Sequence, residues 1–186
     1  MLYIIVGVLI TIIIIFILIN NALIVKKNYV EQAYSSVDVY LKKRNDLIPN
    51  LIEVVKKYTQ HESETLTKIT ELRSKAESNR VNEKMDTQTD SALKNVMADL
   101  DVQVENYPNL KADRQYSQLM NSFNEMEGQI SAARRSYNGR VTDYNNYMEM
   151  FPFSIIAGMK SYKRKAVFEA NEADKKSIDA KKLFNS

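Results

Sequence analysis

The sequence predicts an all-α protein: an N-terminal transmembrane helix followed by an elongated antiparallel up-and-down helical bundle of three to four helices, two of them long. Three observations predict this class. Residues 1–25 contain no charged side chain. Apolar residues then recur at the spacing typical of helix packing in bundles and coiled coils. The 186 residues include only four glycines and three prolines, too few turn residues for a sheet.

The first element is a membrane span. The run from Leu2 to Ile19 is apolar apart from one glycine and one threonine. As a helix it would extend about 27 Å, roughly the hydrocarbon thickness of a bilayer. A cleaved signal peptide is the alternative. It fits less well, because no Lys or Arg precedes the run and Asn20-Asn21-Ala22 is a weak cleavage site.

We therefore assign residues 1–25 to a transmembrane anchor, residues 26–173 to a helical-bundle domain and residues 174–186 to a frayed or disordered polar tail. The net charge of +3 is too small to suggest nucleic acid as a partner. The chain has no cysteine, which excludes disulfides, Cys-ligated zinc and thiol chemistry.

The first bundle helix is predicted from a stripe of apolar residues. Alternating steps of four and three residues from Val30 to Ala76 fall mostly on apolar or aromatic side chains. Pro49 lies inside this stripe and removes a helical hydrogen bond, so we expect a kink there. The stripe keeps its phase across Pro49, which predicts one helix rather than two. We also expect the bundle to begin as a continuation of the membrane helix.

A loop over residues 77–89 and a second, shorter helix follow. The helix carries Leu93, Met97 and Leu100 on one face and should end at Pro108. Asn109 is the expected N-cap of the next helix.

The third helix has the most regular stripe, from Ala112 to Phe151, and should stop at Pro152. Residues 153–173 form a weaker amphipathic segment. Its basic cluster KSYKRK, Lys160 to Lys165, either contacts anionic lipid or forms a solvated helix face, and the two interpretations are equally supported.

Catalytic and metal-binding patterns are not found in the sequence. The single histidine, His61, would need a second histidine four residues on to bind zinc from one helix face, and that residue is Thr65. A di-iron site needs Glu-x-x-His, and Tyr58 stands where the glutamate would be. We therefore predict that the protein is not an enzyme and has no cofactor or metal, and that His61 is a solvated helix residue.

Polar residues interrupt the first stripe at Arg44, Glu62 and Thr65. A buried ion must be paired, and such a pair can fix the register of two helices. This interhelical pair is the favoured interpretation, and the candidate partners of Arg44 are Glu105, Glu125 and Glu127. The alternative is a polar recess around Arg44 and Glu62 that holds a small anionic ligand or an ion.

Three segments resemble the LemA family of bacterial membrane proteins. They are LKKRNDLIPNLIEVVKKYTQHE, VENYPNLKAD and EGQISAARRSYNGRVTDYNNYMEMFP with the following IIAGM. The resemblance runs in order from about Asn28 to Phe168. It implies an N-terminal span followed by an up-and-down helical bundle.

The resemblance assigns no catalytic residue and leaves the family's role undefined. One branch of the family resembles components that help to form magnetosome membranes, and this chain gives no reason to place it there. The positions that match the family motif are the interaction candidates: Arg44, Asp46, Pro49, Asn50, His61, Glu62, Tyr107, Pro108, Lys111, Arg134, Tyr137, Asn138, Phe151 and Pro152.

The leading functional prediction is a scaffold or interaction protein, tethered by one span to the bacterial inner membrane, that presents a helix face to partner proteins. Self-association is left open. Basic residues follow the span at Lys26 and Lys27 and none precedes it, which favours an N-terminus outside the cell and a bundle in the cytoplasm.

Overall fold

The computed structural model describes residues 1–59, 63–81 and 87–169, which fall into two compact units. Unit 1 contains Met1–Tyr40 and Gly128–Val167. Unit 2 contains Leu41–Glu127 and the residues from Phe168. The described ranges contain helices and no strand, so the predicted all-α class is confirmed. The up-and-down arrangement of the whole bundle stays a prediction.

The anchor and the first bundle helix are one continuous helix, α1, Leu2–Lys56. Side chains from Leu2 to Leu18 are all exposed. Within the described ranges, α1 is the one helix long and apolar enough to cross a membrane. Exposed apolar side chains match a lipid solvent, and a helix satisfies its own backbone hydrogen bonds there. The prediction that the bundle begins as a continuation of the membrane helix is confirmed.

The core of unit 1 begins where the exposed apolar run ends. Ile19 and Leu23 of α1 are buried against Ile156 and Ala157, which belong to the short helix α6, Phe153–Met159. These two α1 residues lie on the membrane side of the boundary predicted at residue 25. The boundary itself stays a prediction.

Helix α5, Arg114–Glu149, runs antiparallel to α1 within unit 1. Lys26 Nζ lies 3.8 Å from Asp143 Oδ2, and the rings of Tyr34 and Tyr137 have centroids 5.8 Å apart. A residue later in α1 therefore contacts a residue earlier in α5, as two antiparallel helices require. The predicted third-helix stripe is buried along most of its length, although Ala112 and Phe151 at its ends are exposed.

Unit 2 packs the end of α1 and the first part of α5 with three further helices. These are α2, Ser63–Val81, α3, Thr87–Gln103, and α4, Pro108–Lys111, with a 3₁₀ turn over Val104–Asn106. The fully buried members of the core are Ile48, Val55, Ile69, Leu93 and Leu110. They come from α1, α2, α3 and α4, so the core joins these helices.

The prediction of one helix from Val30 to Ala76 is wrong. Helix α1 ends at Lys56 with two bonds of the tighter i to i−3 type, from Lys57 N to Val54 O and from Tyr58 N to Val55 O. The apolar stripe nevertheless stays in phase, because α1 and α2 both turn toward the same core. Periodicity reports which residues are buried, and it does not report that two buried stretches belong to one helix.

The loop predicted over residues 77–89 is also partly wrong. Residues 77–81 belong to α2 and residues 87–89 to α3, while 82–86 lie outside the described residues. Pro108 begins α4 rather than only ending the helix before it, because proline lacks the N–H that a first helical position leaves unbonded. The predicted N-cap at Asn109 is wrong, since Asn109 lies inside α4.

The amphipathic segment predicted over residues 153–173 is helical only as far as Met159. From Tyr162 to Glu169 the chain has no regular secondary structure. Residues 170–173 and the predicted polar tail, 174–186, lie outside the described residues.

Candidate functional site

Arg44 lies at the centre of a buried ionic cluster in unit 2. Its side chain is 1% exposed. Nη2 donates to Asp90 Oδ1 at 2.8 Å, and Nη1 donates to Glu127 Oε1 at 2.9 Å. Asp90 belongs to α3 and Glu127 to α5, so one guanidinium joins three helices. We call Arg44, Asp90 and Glu127 the Arg44 cluster.

The position of Arg44 follows from the stripe, because it occupies a core-facing position of α1 between Leu41 and Ile48. Burial by itself would lower the pKa of Arg44, but the charges and hydrogen bonds of Asp90 and Glu127 raise the pKa above its ordinary value. The guanidinium therefore stays charged, and its cost of desolvation is offset by two carboxylates. Such a cluster can fix how the three helices align.

Polar groups beside the Arg44 cluster extend it toward α2. Asn45 is buried, and its Oδ1 accepts from Arg44 Nη2 at 3.4 Å. Its backbone carbonyl accepts from Arg73 Nε at 3.1 Å. Hydrogen bonding to Arg80 lowers the pKa of Glu77, which Asn45 also contacts. These bonds connect α1 with α2, as the cluster itself connects α1 with α3 and α5.

Of the three candidate partners of Arg44, Glu127 pairs with it, whereas Glu105 pairs with Lys111 at 3.1 Å. Glu125 is exposed on α5. Sequence reasoning missed Asp90. The helix was predicted from its apolar residues, which begin at Leu93, whereas Asp90 lies in the first turn of α3, before them.

The other predicted residues of unit 2 do not join the Arg44 cluster. Asp46 and Asn50 are exposed, and Pro49 is half-buried inside α1. Lys111 is tied to Glu105 at the surface. Tyr107 and Pro108 begin α4, where Tyr107 is half-buried and Pro108 exposed. His61 and Glu62 lie outside the described residues, so the recess predicted around Arg44 and Glu62 is tested only on its Arg44 side.

Two open cavities of unit 2, about 300 and 350 Å³ in volume, are lined by residues other than Arg44. The first lies between Ile52 and Glu71, and the second between Asp101 and Asn124. Among the described residues, no three histidine or carboxylate side chains are grouped so that they could hold a metal ion.

In unit 1, side chains of α5, among them the predicted Tyr137, bond the backbone of the segment that follows α6. Tyr137 donates its hydroxyl to the carbonyl of Ala166 at 3.0 Å. Two helical turns further on, Tyr144 donates to the carbonyl of Lys163 at 3.3 Å. Burial raises the pKa of both tyrosines, so their hydroxyls remain donors at neutral pH.

Asn145 completes this arrangement by bonding Lys165 twice. Its Nδ2 donates to the Lys165 carbonyl and its Oδ1 accepts from the Lys165 N–H, each at 3.0 Å. The side chain thus satisfies both backbone polar groups of Lys165, in a segment that has no regular secondary structure. We call residues 163–166 the basic strap.

The remaining predicted residues of unit 1 are separate. Arg134 and Asn138 are half-buried on α5. Phe151 is 80% exposed beside Pro152, between α5 and α6. The predicted interaction residues are therefore divided between an ionic cluster in unit 2 and a strap and an exposed turn in unit 1.

The LemA family model matches residues 33–181 of this chain. Protein LemA of Metamycoplasma hominis is 28% identical over 166 residues, which are 89% of this chain and 76% of that protein. Magnetosome protein MamQ 2 of Paramagnetospirillum magneticum is 30% identical over 95 residues, 51% of this chain and 35% of that protein. Magnetosome protein MamQ of Magnetospirillum gryphiswaldense is 26% identical over 95 residues, with the same coverage.

Proposed function

This chain belongs to the LemA family, and from that premise we propose that it is a helical scaffold of the bacterial inner membrane that presents a helix face to partner proteins. The magnetosome role in the names of the MamQ relatives is not carried over, because those matches cover 51% of this chain. A scaffold must hold its binding surface in a fixed position. Two features support such a role: the uninterrupted helix α1, and polar side chains that are paired within the chain.

The uninterrupted α1 is the observation that carries the proposal. The same helix contains the exposed apolar run, the core of unit 1 at Leu23 and the Arg44 cluster of unit 2. No linker separates the span from the folded part. A tether that served only to keep a catalytic or binding domain near the membrane would not need this continuity, since a flexible linker does that.

The distribution of polar contacts also supports a scaffold. Arg44, Asn145 and Tyr137 direct their hydrogen bonds to other parts of the chain, where they fix helices and the basic strap. Groups already paired in this way stabilise an arrangement and are not free to bind a substrate.

The ligand-binding alternative has less support. Both terminal nitrogens of Arg44 are engaged by carboxylates, so an anion approaching Arg44 would meet two negative charges. If a ligand site exists, small molecules screened against the full chain should raise its melting temperature by mass action. A chelator should leave the melting curve unchanged. A drop that one equivalent of metal reverses would favour the ion-binding alternative instead.

Photo-crosslinking in native membranes tests the scaffold directly. A photoreactive amino acid placed at exposed Arg135 of α5 or at exposed Val39 of α1 samples two faces of unit 1. We expect a reproducible protein adduct from one face, and a control at buried Val141 should give none. If all exposed positions of α1 and α5, tested in turn, give no protein adduct, the scaffold proposal fails.

The proposed orientation places the N-terminus outside and the folded units in the cytoplasm. Lys26 and Lys27 follow the span directly, and basic residues near a span tend to remain on the cytoplasmic side. The test is protease added to spheroplasts that express the chain with a C-terminal tag. The tag should survive until the membrane is broken. Loss of the tag from intact spheroplasts would place the folded units outside.

A further inference from the structure

An apolar surface is exposed on the turn that leads into α6 and on α6 itself. Phe151, Ile155 and Met159 are 80%, 55% and 71% exposed. The three residues are spaced four apart. Ile155 and Met159 therefore lie on one face of α6, and Phe151 lies in the turn two residues before this helix begins. We call these three residues the apolar ridge. A surface of this kind usually marks a contact with another apolar phase.

The apolar ridge lies beside the membrane span. The opposite side of α6, Ile156 and Ala157, is buried against Ile19 and Leu23. Lys160 Nζ, at the end of α6, lies 2.7 Å from Asn20 Oδ1. The exposed apolar run of α1 ends immediately before these residues, so α6 is held at the height where the hydrocarbon gives way to headgroups.

The end of α5 brings Phe151 to the same height. Lys26 Nζ lies 4.4 Å from the centre of the Tyr147 ring. Because α5 runs antiparallel to α1, the chain after Tyr147 approaches the span. Helix α5 ends at Glu149, two residues beyond Tyr147, and Phe151 lies in the turn between this end and α6.

Basic side chains follow the apolar ridge in the sequence, beginning with Lys160 next to Met159. Lys160, Lys163 and Lys165 are exposed, while the backbone of the basic strap is fixed by Tyr144 and Asn145. The strap thus has its backbone directed toward α5 and its charged side chains toward solvent. Apolar and aromatic residues flanked by lysine are the composition of elements that lie in the interface of an anionic membrane.

We infer that α6 and the turn before it form a second membrane contact, in which the apolar ridge enters the headgroup region of an anionic phospholipid bilayer and the lysines bind its phosphates. This inference rests on the span that the proposed function assumes. A protein partner would also cover apolar surface, but the position of α6 against Ile19 and Leu23 places the ridge where lipid already surrounds α1.

The absence of cysteine from the sequence allows a single-label test on the full chain. A fluorophore is attached to Ile155→Cys or Met159→Cys in nanodiscs of phosphatidylcholine and phosphatidylglycerol that contain a spin-labelled quencher lipid. Ile10→Cys in the span is the positive control. Val39→Cys is the matched control, because Val39 is 50% exposed, also belongs to unit 1 and lies twenty residues beyond Ile19, about 30 Å along α1.

Labels at 155 and 159 should be quenched on the order of threefold more strongly than the label at 39. In phosphatidylcholine alone, or with Lys163→Gln and Lys165→Gln together, this quenching should weaken. If the labels at 155 and 159 match the label at 39 while the label at 10 is quenched, the inference is overturned and the scaffold proposal stands. If the label at 10 is not quenched, the span is wrong and both fail. Equal quenching in the two lipids overturns the role of the lysines.

Discussion

At the scale of single residues, Arg44 shows how a charge in a core position can specify a fold. An apolar side chain at this position would be buried without the desolvation cost of a charge, but it would allow the helices to pack in several registers. The guanidinium has donors in fixed directions and requires a carboxylate from α3 and another from α5. Its value therefore lies in selecting one alignment of three helices, as buried polar residues do in some coiled coils.

Arg44→Met should destabilise the protein by about 3 to 5 kcal/mol, because Asp90 and Glu127 would be left close together, partly buried and without their cation. Combining it with Asp90→Asn and Glu127→Gln should recover much of the loss. Thermal unfolding in detergent, followed by circular dichroism, measures both.

Lys111→Met is the control for the Arg44 variants, because the Lys111–Glu105 pair is exposed and should contribute less than about 1 kcal/mol. Equal losses for Lys111→Met and Arg44→Met would show that burial of the cluster contributes nothing.

Sequence reasoning could predict part of this cluster. The stripe shows that Arg44 faces the core, and the need for a counter-charge follows from physics alone. Which carboxylate supplies the counter-charge depends on the axial position of each helix relative to its neighbours. The spacing of apolar residues does not determine that position. Glu127 was therefore one candidate among three, and Asp90 was not a candidate at all.

At the scale of helices, α5 begins with a charged cap. Asp113 Oδ1 accepts from the N–H groups of Gln115 and Tyr116 at 2.7 and 3.0 Å. Asp113 Oδ2 accepts from the Tyr58 hydroxyl at 2.8 Å, which connects the cap to the turn that ends α1. The sequence did not indicate this cap, because Asp113 lies just inside the stripe that begins at Ala112, and the N-cap was predicted at Asn109, after Pro108.

Asp113→Asn should lower the melting temperature at neutral pH, and by less than Asp113→Ala, because asparagine keeps a capping oxygen. The N–H of Tyr116 and the hydroxyl of Tyr58 hold the pKa of Asp113 below its ordinary value of 3.8. The carboxylate's contribution is therefore full well above pH 3.8 and is lost as the pH falls through the lowered pKa.

The difference in melting temperature between the original chain and D113N, measured from pH 7 to pH 3, should shrink at the acid end. Glu125→Gln, an exposed change within the same helix, serves as the control. A difference that does not change with pH would mean that the charge of Asp113 is not involved.

The middle of α5 contains glycines that do not serve its packing. A Cβ added at Gly128 or Gly139 would meet nothing within 4 Å. Gly128→Ala and Gly139→Ala should each stabilise the protein by about 0.5 to 1 kcal/mol through helix propensity. The reverse change at the exposed Ala132, to glycine, should destabilise it by a similar amount. A loss of stability in Gly139→Ala would point to a contact that the single chain does not show.

At the scale of the whole molecule, the predicted membrane anchor is continuous with the folded structure. The sequence predicts the span from its apolar run, and it predicts that the bundle continues the same helix. The sequence does not reveal that Ile19 and Leu23 belong to the core of unit 1, because these two residues are as apolar as the exposed residues around them. Only their contact with Ile156 and Ala157 distinguishes them.

Two fragments test this contact. A fragment of residues 26–186 lacks Ile19 and Leu23, and a fragment of residues 19–186 keeps them. Both should be helical, but the shorter one should be less stable by about 1.5 to 3 kcal/mol for each fully buried side chain removed. Leu23→Ala in the longer fragment should reproduce part of the loss. Equal melting temperatures for the two fragments would show that α6 does not need α1.

The division of unit 1 into two sequence segments determines the order in which the protein can be completed. Met1–Tyr40 and Gly128–Val167 are separated by Leu41–Glu127, the helical part of unit 2. During synthesis from the N-terminus, Ile19 and Leu23 leave the ribosome long before Ile156 and Ala157 exist. The helices of unit 2 can pack in that interval, since folding of nearby segments precedes closure of distant ones. The contact of Ile19 and Leu23 with α6, although its first half is made earliest, is therefore the last to close.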